Sequence, residues 1–114
     1  MVHDSKNMED GTERLRTLSK LLFGNADRLE VAAAIARAEP GGLFSRALAE
    51  DLGLPDNRVQ KQLKQFEAAD LLVALPAVGG ERRVYYERKD SFFWAAADRL
   101  EKEWRDGVRS TARP

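Results

Sequence analysis

Asn57, Arg58, Gln60, Lys61, Lys64 and Gln65 all fall in the run DNRVQKQLKQ, which spans Asp56 to Gln65. Amides, a guanidinium and two ammonium groups at this density suit hydrogen-bonded recognition better than bond breaking. Asn and Gln match adenine edges; Arg and Lys match guanine edges and phosphates. Projected at 100° per residue, Val59, Leu63 and Phe66 share one helix face. Asn57, Arg58, Lys61, Lys64 and Gln65 share the other, with Gln60 at the flank. Many amphipathic helices keep a polar outer face of this kind simply for solvent. The neighbouring segments decide between the two meanings.

Upstream lies FSRALAEDLGLP, and it carries three sterically tight positions. Two helices crossing steeply over a short turn need a small residue at the contact, met by Ala49. Glycine is favoured at the turn four residues on, met by Gly53, because it enters the left-handed region at low cost. A branched apolar plug is needed six further on, met by Val59. Leu48, Leu52, Leu54, Leu63 and Phe66 fill the surrounding apolar positions. Downstream, VALPAVGGERRVYYERK has the turn residues and alternation of a β-hairpin. Its tip carries Arg82 and Arg83, which could track phosphates or enter a narrow minor groove. Such a tip could equally be kept polar for solvent alone, and Glu81 argues mildly that way. Tyr85 and Tyr86 are adjacent, so one faces in and the other out.

The remaining elements must hold this unit. Residues 1–11 lack apolar periodicity and are expected to be a mobile N-terminal arm. A first helix is predicted from Thr12 to Phe23, with Leu15, Leu18 and Leu22 as its stripe. Gly24 ends it, and Asn25 caps a second helix reaching Glu39. That helix is rich in alanine, which lets neighbours approach closely. Leu43 and Phe44 could add a short strand to the hairpin. Ser45 caps a third helix over 46–52, and a recognition helix follows at about 55–69. The wing is expected at about 76–83. Asp90 or Ser91 caps a last helix reaching Asp106, and residues 107–114 form a frayed tail. The fold class is therefore mainly α with a small β-hairpin: about five helices plus a two- to three-stranded wing, in a single domain over 12–106.

Composition limits the alternatives. The chain has 114 residues, with 19 basic and 19 acidic side chains and zero formal net charge. Any attraction to nucleic acid must therefore come from a local face. Between Asp56 and Lys89 there are seven basic and five acidic residues, a modest excess. Cysteine is absent, which removes disulfides and thiolate metal sites. The lone histidine, His3, has no evident catalytic or metal partner. The glycine pairs at 41–42 and 79–80 do not make phosphate-binding loops. No catalytic residue, metal ligand or cofactor is predicted, and an enzyme is not expected. The polar N-terminus and the lack of a long apolar run imply no membrane contact and a cytoplasmic location.

LFGNADRLEVAAAIA, LAEDLGLPDNRVQKQLKQFEAADLL and RRVYYERK together resemble the ArsR-like branch of winged-helix transcriptional regulators. The likeness runs from about Leu15 to Lys89. Its marks are the N/D-x-x-R-L start of the second helix (Asn25 to Leu29), Val59 with Leu63, and Val84-Tyr85-Tyr86. The resemblance implies a homodimeric repressor whose first and last helices form the dimer interface. Two departures stand out. Asp70 replaces a glycine common near the end of the recognition helix, and the family's cysteine metal-sensing motif is missing. Metal sensing is not carried over.

The expected function is sequence-specific binding of double-stranded DNA by a homodimeric regulator. Asn57, Arg58, Lys61 and Gln60 are the candidates for base contact, Lys64 for phosphate, and Arg82 and Arg83 for the wing. Leu15, Leu18, Leu22, Phe93, Ala97, Leu100 and Trp104 are the candidates for the dimer interface. An apolar cleft between the terminal helices could hold a small-molecule effector. The alternative is a winged helix used for protein interaction or architecture, with weak non-specific DNA binding.

Overall fold

The computed structural model describes the backbone of residues 2–77, 79–80 and 82–106, with side chains from residue 11 onward. The expected tail, Val108 and the wing residues Val78 and Glu81 lie outside the described residues. Seven elements follow in order: α1 (Val2–Phe23), α2 (Arg28–Arg37), α3 (Ser45–Leu52), α4 (Asp56–Ala68), β1 (Leu72–Ala74), β2 (Tyr86–Arg88) and α5 (Phe92–Arg105). This is the mainly helical chain with a small hairpin that the residue patterns predict.

The helix α2 is the hub. Every residue from Leu29 to Ile35 is buried, and α1, α3, α4 and α5 all pack around it. The alanines at 32, 33 and 34 make this geometry possible, since they let four neighbours approach one short helix. Its ends are finished by side chains from elsewhere. The Arg88 guanidinium donates through Nη1 to the carbonyls of Ile35 (2.6 Å) and Ala38 (3.0 Å). A cation on the last carbonyls of a helix answers both their hydrogen-bond need and the helix dipole. At the start, Asp27 and not the expected Asn25 is the cap position, and Asn25, two residues earlier, accepts from the Asp27 N–H at 2.8 Å.

Several boundaries differ from the sequence expectation, and α2 stops at Arg37, short of the expected Glu39. The segment read as an N-terminal arm has helical backbone from Val2, continuous with α1. No proline interrupts it, and adding residues to an existing helix is cheap compared with starting one. The helix α3 begins at Ser45, and Phe44 takes the cap position without a side-chain bond. The Phe44 ring lies under the Arg83 guanidinium, 4.3 Å from its centroid, and edge-on to Tyr85 at 5.2 Å. Those contacts tie residue 44 to the hairpin, so the helix starts one residue earlier than expected.

The α3–α4 turn follows the tight positions in the sequence. Ala49 and Val59 are buried. Gly53 sits at φ 68°, ψ 30°, and its N–H reaches the Ala49 carbonyl. A Cβ there would meet nothing within 4 Å. The cost of a side chain is thus conformational alone. Gly53→Ala is expected to lower stability by about 1–2 kcal/mol, the usual cost of a left-handed L-residue. Chemical denaturation should show a lower midpoint at unchanged slope; an unshifted midpoint would contradict it.

The hairpin is antiparallel, with Leu72 opposite Arg88 and Ala74 opposite Tyr86. One further bond, Leu75 N–H to Tyr85 O at 2.8 Å, extends it. Pro76 has no N–H, so the ladder stops there, and β2 begins at Tyr86. Leu43 adds no full strand, but its carbonyl accepts from Tyr86 N–H at 2.9 Å. Tyr86 points inward, where burial raises its hydroxyl pKa above the ordinary value and Glu67 adds to the effect. Asp70, where the family pattern has glycine, stands at φ 67°. The turn keeps the left-handed conformation, and Asp70 Oδ1 accepts from Lys89 Nζ at 2.7 Å. Short polar residues are the ones that best tolerate this region after glycine.

The last helix starts as expected: Ser91 Oγ accepts from Phe93 N–H at 3.1 Å. Trp94 is buried and stacks edge-on against Phe66 and Phe93. Its indole N–H donates to the Lys89 carbonyl at 3.0 Å, which closes the hairpin onto α5.

Candidate nucleic-acid interface

The core grips α4 through Val59, Leu63 and Phe66, which are 0%, 1% and 3% exposed. The opposite face carries Asn57, Gln60, Lys61 and Lys64, all exposed. Gln60 is steadied there by Asp56, one turn earlier, whose Oδ2 accepts from its Nε2 at 2.5 Å. Asp56 also places a carboxylate in the first turn of α4, where the helix dipole favours it.

Arg58 is exposed but is also bonded inward. Its Nε and Nη2 donate to Asp27 at 2.9 and 2.6 Å as a two-pronged pair. The hydrogen bond to Asp27 is the main reason its pKa is raised above the usual guanidinium value. Arg58 therefore ties α4 to the start of α2, a contact that the sequence reading did not anticipate. Gln65, also expected on the outer face, accepts from Arg28 Nη2. The partner residues lie 31 and 37 positions away in the chain, so a projection of α4 alone does not reveal them.

The hairpin brings the other half of the site. A groove of about 620 Å³ runs between the start of α3, the outer side of α4 and the segment before β2. Phe44, Ser45 and Arg46 line one side, Asp56, Gln60, Leu63 and Lys64 the next, and Arg82, Arg83, Val84 and Tyr86 the third. Four of these side chains are cationic and one is anionic. The local balance is thus far more positive than the neutral chain as a whole. Arg82 is exposed. Arg83 is held over Phe44 and also donates to the Tyr85 hydroxyl at 3.4 Å, which fixes where its charge sits. Asn57 and Lys61 lie outside this groove, on the adjoining outer surface.

Arg46 is the residue that the sequence reading missed. It occupies the second position of α3, where the first helix of such a pair crosses a nucleic-acid backbone. Attention to that role, and not to the second helix alone, would have found it. Lys89 and Arg88, counted in the basic excess, are engaged elsewhere: Lys89 with Asp70 and Arg88 with the end of α2.

The residues expected at a dimer interface divide into three groups. Leu15 and Ala97 are buried in the chain's own core, so they have little surface left for a partner. Leu18, Phe93, Leu100 and Trp104 are half-buried. Leu22 is 64% exposed, beside Leu21 at 74%, and Phe92 on α5 is 83% exposed. Among the described residues no cluster of His, Cys, Asp or Glu could hold a metal ion. None of the described helices is long and apolar enough to cross a membrane.

No protein-family model matches the chain, and no curated protein matches it in sequence. Among solved structures, it is similar to the protein in the crystal structure of the S. aureus MepR–DNA complex. The TM-score is 0.62 at 11% sequence identity, over 90% of this chain and 77% of that one. The shared architecture is the winged helix.

Proposed function

We propose that this chain is a sequence-specific double-stranded DNA-binding regulator of transcription, a cytoplasmic repressor that works as a homodimer and carries out no catalysis. In this reading α4 enters the major groove, with Asn57, Gln60 and Lys61 towards base edges and Lys64 towards phosphate. Arg82 and Arg83 lie along the backbone or in the minor groove, and Arg46 meets the backbone beside α3. The observation that carries the reading is the gathering of Arg46, Lys64, Arg82 and Arg83 around one groove of a chain with zero net charge. The charged lining of the groove is thus four to one in favour of cations, against one to one in the whole chain. The similar fold of S. aureus MepR, which was crystallised in complex with DNA, supports it.

The ArsR-like resemblance adds the dimer and the repressor role. The exposed Leu21, Leu22 and Phe92 on the terminal helices favour a second copy as partner, since large apolar groups gain by being covered.

The test is selection of bound sequences from a random duplex pool at moderate salt. A two-fold symmetric motif with half-sites about one duplex turn apart is the expected result. A second reading, a winged helix that binds a protein partner, is favoured by Asp56 within the groove and by the diversion of Arg58 to Asp27. It predicts weak DNA binding without sequence preference. No enrichment over the input pool would support that second reading, and a nanomolar operator would exclude it.

A further inference from the structure

The helix α4 also carries a polar stripe that is exposed at its two ends and buried at its middle. Arg58, Gln62 and Gln65 recur at i, i+4 and i+7, so they form one polar stripe. The stripe packs against the junction between α1 and α2. Gln62 is only 1% exposed, yet both ends of its amide are satisfied. Its Oε1 accepts from Arg28 Nε at 3.1 Å, and its Nε2 donates to Asn25 Oδ1 at 2.9 Å. Arg28 also donates to the Phe23 carbonyl at 3.1 Å and to Gln65. Asp27 holds Arg58 through both carboxylate oxygens. The junction is itself fixed, because Ser19 Oγ donates to the Asn25 carbonyl at 2.7 Å and accepts from Leu29 N–H at 3.1 Å.

An apolar face alone tolerates small rotations, because hydrophobic burial has no direction. A buried amide bonded at both ends does not: rotation breaks bonds that no water replaces. The outer side chains of a helix sit roughly 5–6 Å from its axis. A 20° rotation would therefore move their ends by about 2 Å, enough to lose a hydrogen bond to a base edge. Such a rotation leaves a cation near a phosphate still attracted to it.

We propose that Gln62, clasped by Asn25 and Arg28, is the positioning residue that sets the rotation of α4 and thereby the sequence specificity of its outer face. The inference rests on the duplex-binding reading above and assigns a role to two residues, Asn25 and Arg28, that mark the start of the second helix.

The experiment compares affinity for the selected operator with affinity for random duplex. Gln62→Met keeps side-chain length and removes both bonds. The operator-to-random ratio should fall at least tenfold, with random-duplex affinity changed less than twofold and a cooperative melt retained. Gln62→Glu, which still accepts from Arg28, should retain more of the ratio. If Gln62→Met does not fold, Gln65→Ala at the exposed end of the stripe takes its place and should lower the ratio in the same selective way. A folded variant with the wild-type ratio overturns the inference, and so does a parallel loss on both duplexes. Absence of any sequence preference in the wild type overturns the functional reading itself, and the two failures are thereby separate.

Discussion

Lys64→Glu combined with Arg82→Glu should lower affinity for double-stranded DNA by roughly 10²–10⁴-fold, on operator and random sequence alike. Both side chains are exposed and line the same groove, from opposite sides. A hydrogen bond to a charged group contributes about 1.5–3 kcal/mol, so two of them are worth about 3–6 kcal/mol. At 1.4 kcal/mol per decade that is the stated loss, and repulsion from two new carboxylates pushes it further. The salt dependence supplies an independent readout. Each phosphate contact contributes about 0.9 to the slope of log affinity against log salt, so the slope should shrink by about two. Thermal melting should change little, because neither residue belongs to the core. The chain is neutral overall, so no distant field can compensate. Unchanged affinity and slope would mean that the duplex lies elsewhere.

The loss is sequence-independent because of how the site is built. Lys64, Arg82, Arg83 and Arg46 surround a groove and act as positioned charges. Gln60 and Asn57 have the directional chemistry that discriminates bases. The division follows the helix faces, with the cationic rim shared between α3, α4 and the hairpin. In the proposed reading the discriminating groups stand on α4, whose apolar face packs in the core and whose Gln62 is bonded to Asn25 and Arg28.

Much of this was legible in the sequence because the constraints are local. Ala49, Gly53 and Val59 answer steric demands within eleven residues, and the structure places two in the core and one in the left-handed turn. Asp70 shows the limit of a residue-type rule. The position demands a positive φ, which glycine meets most cheaply, but aspartate meets it too. The helical backbone of residues 2–11 could not be read from periodicity, because that signal depends on an apolar stripe and this segment has none. Arg58 has a partner that the sequence did not show, for a different reason. A projection at 100° per residue separates polar from apolar, but cannot separate polar side chains facing solvent from those facing a polar partner. Asp27 is that partner, and only the packing of α2 against α4 brings it near. Leu15 and Ala97 follow the same logic: a stripe on a terminal helix marks burial without saying whether the covering surface is the chain's own.

Leu22→Glu should convert a dimer into a folded monomer and remove most operator affinity. Leu22 is 64% exposed in the single chain and adjoins Leu21 at 74%. Covering a leucine is worth about 1.5–3 kcal/mol. A two-fold interface contains the residue twice, so the pair contributes about 3–6 kcal/mol. Replacement also forces two carboxylates into or beside the interface, which adds a desolvation cost. The dimer dissociation constant should therefore rise by at least about a hundredfold, as measured by sedimentation or light scattering across a concentration series. Leu22 is a cleaner choice than Trp104, which packs against the chain's own core and whose loss would also weaken the fold. The melting temperature at low concentration should stay near that of the dissociated wild type. On DNA the variant should differ from the charge reversal in a diagnostic way. A monomer keeps its groove and its cations, so binding to one half-site or to random duplex persists. It loses the second half-site, which a dimer engages at high effective concentration. Operator affinity should then fall far more than random-duplex affinity. A variant that keeps the wild-type mass would place the interface elsewhere on the chain, and a wild type that is already monomeric would refute the dimer itself.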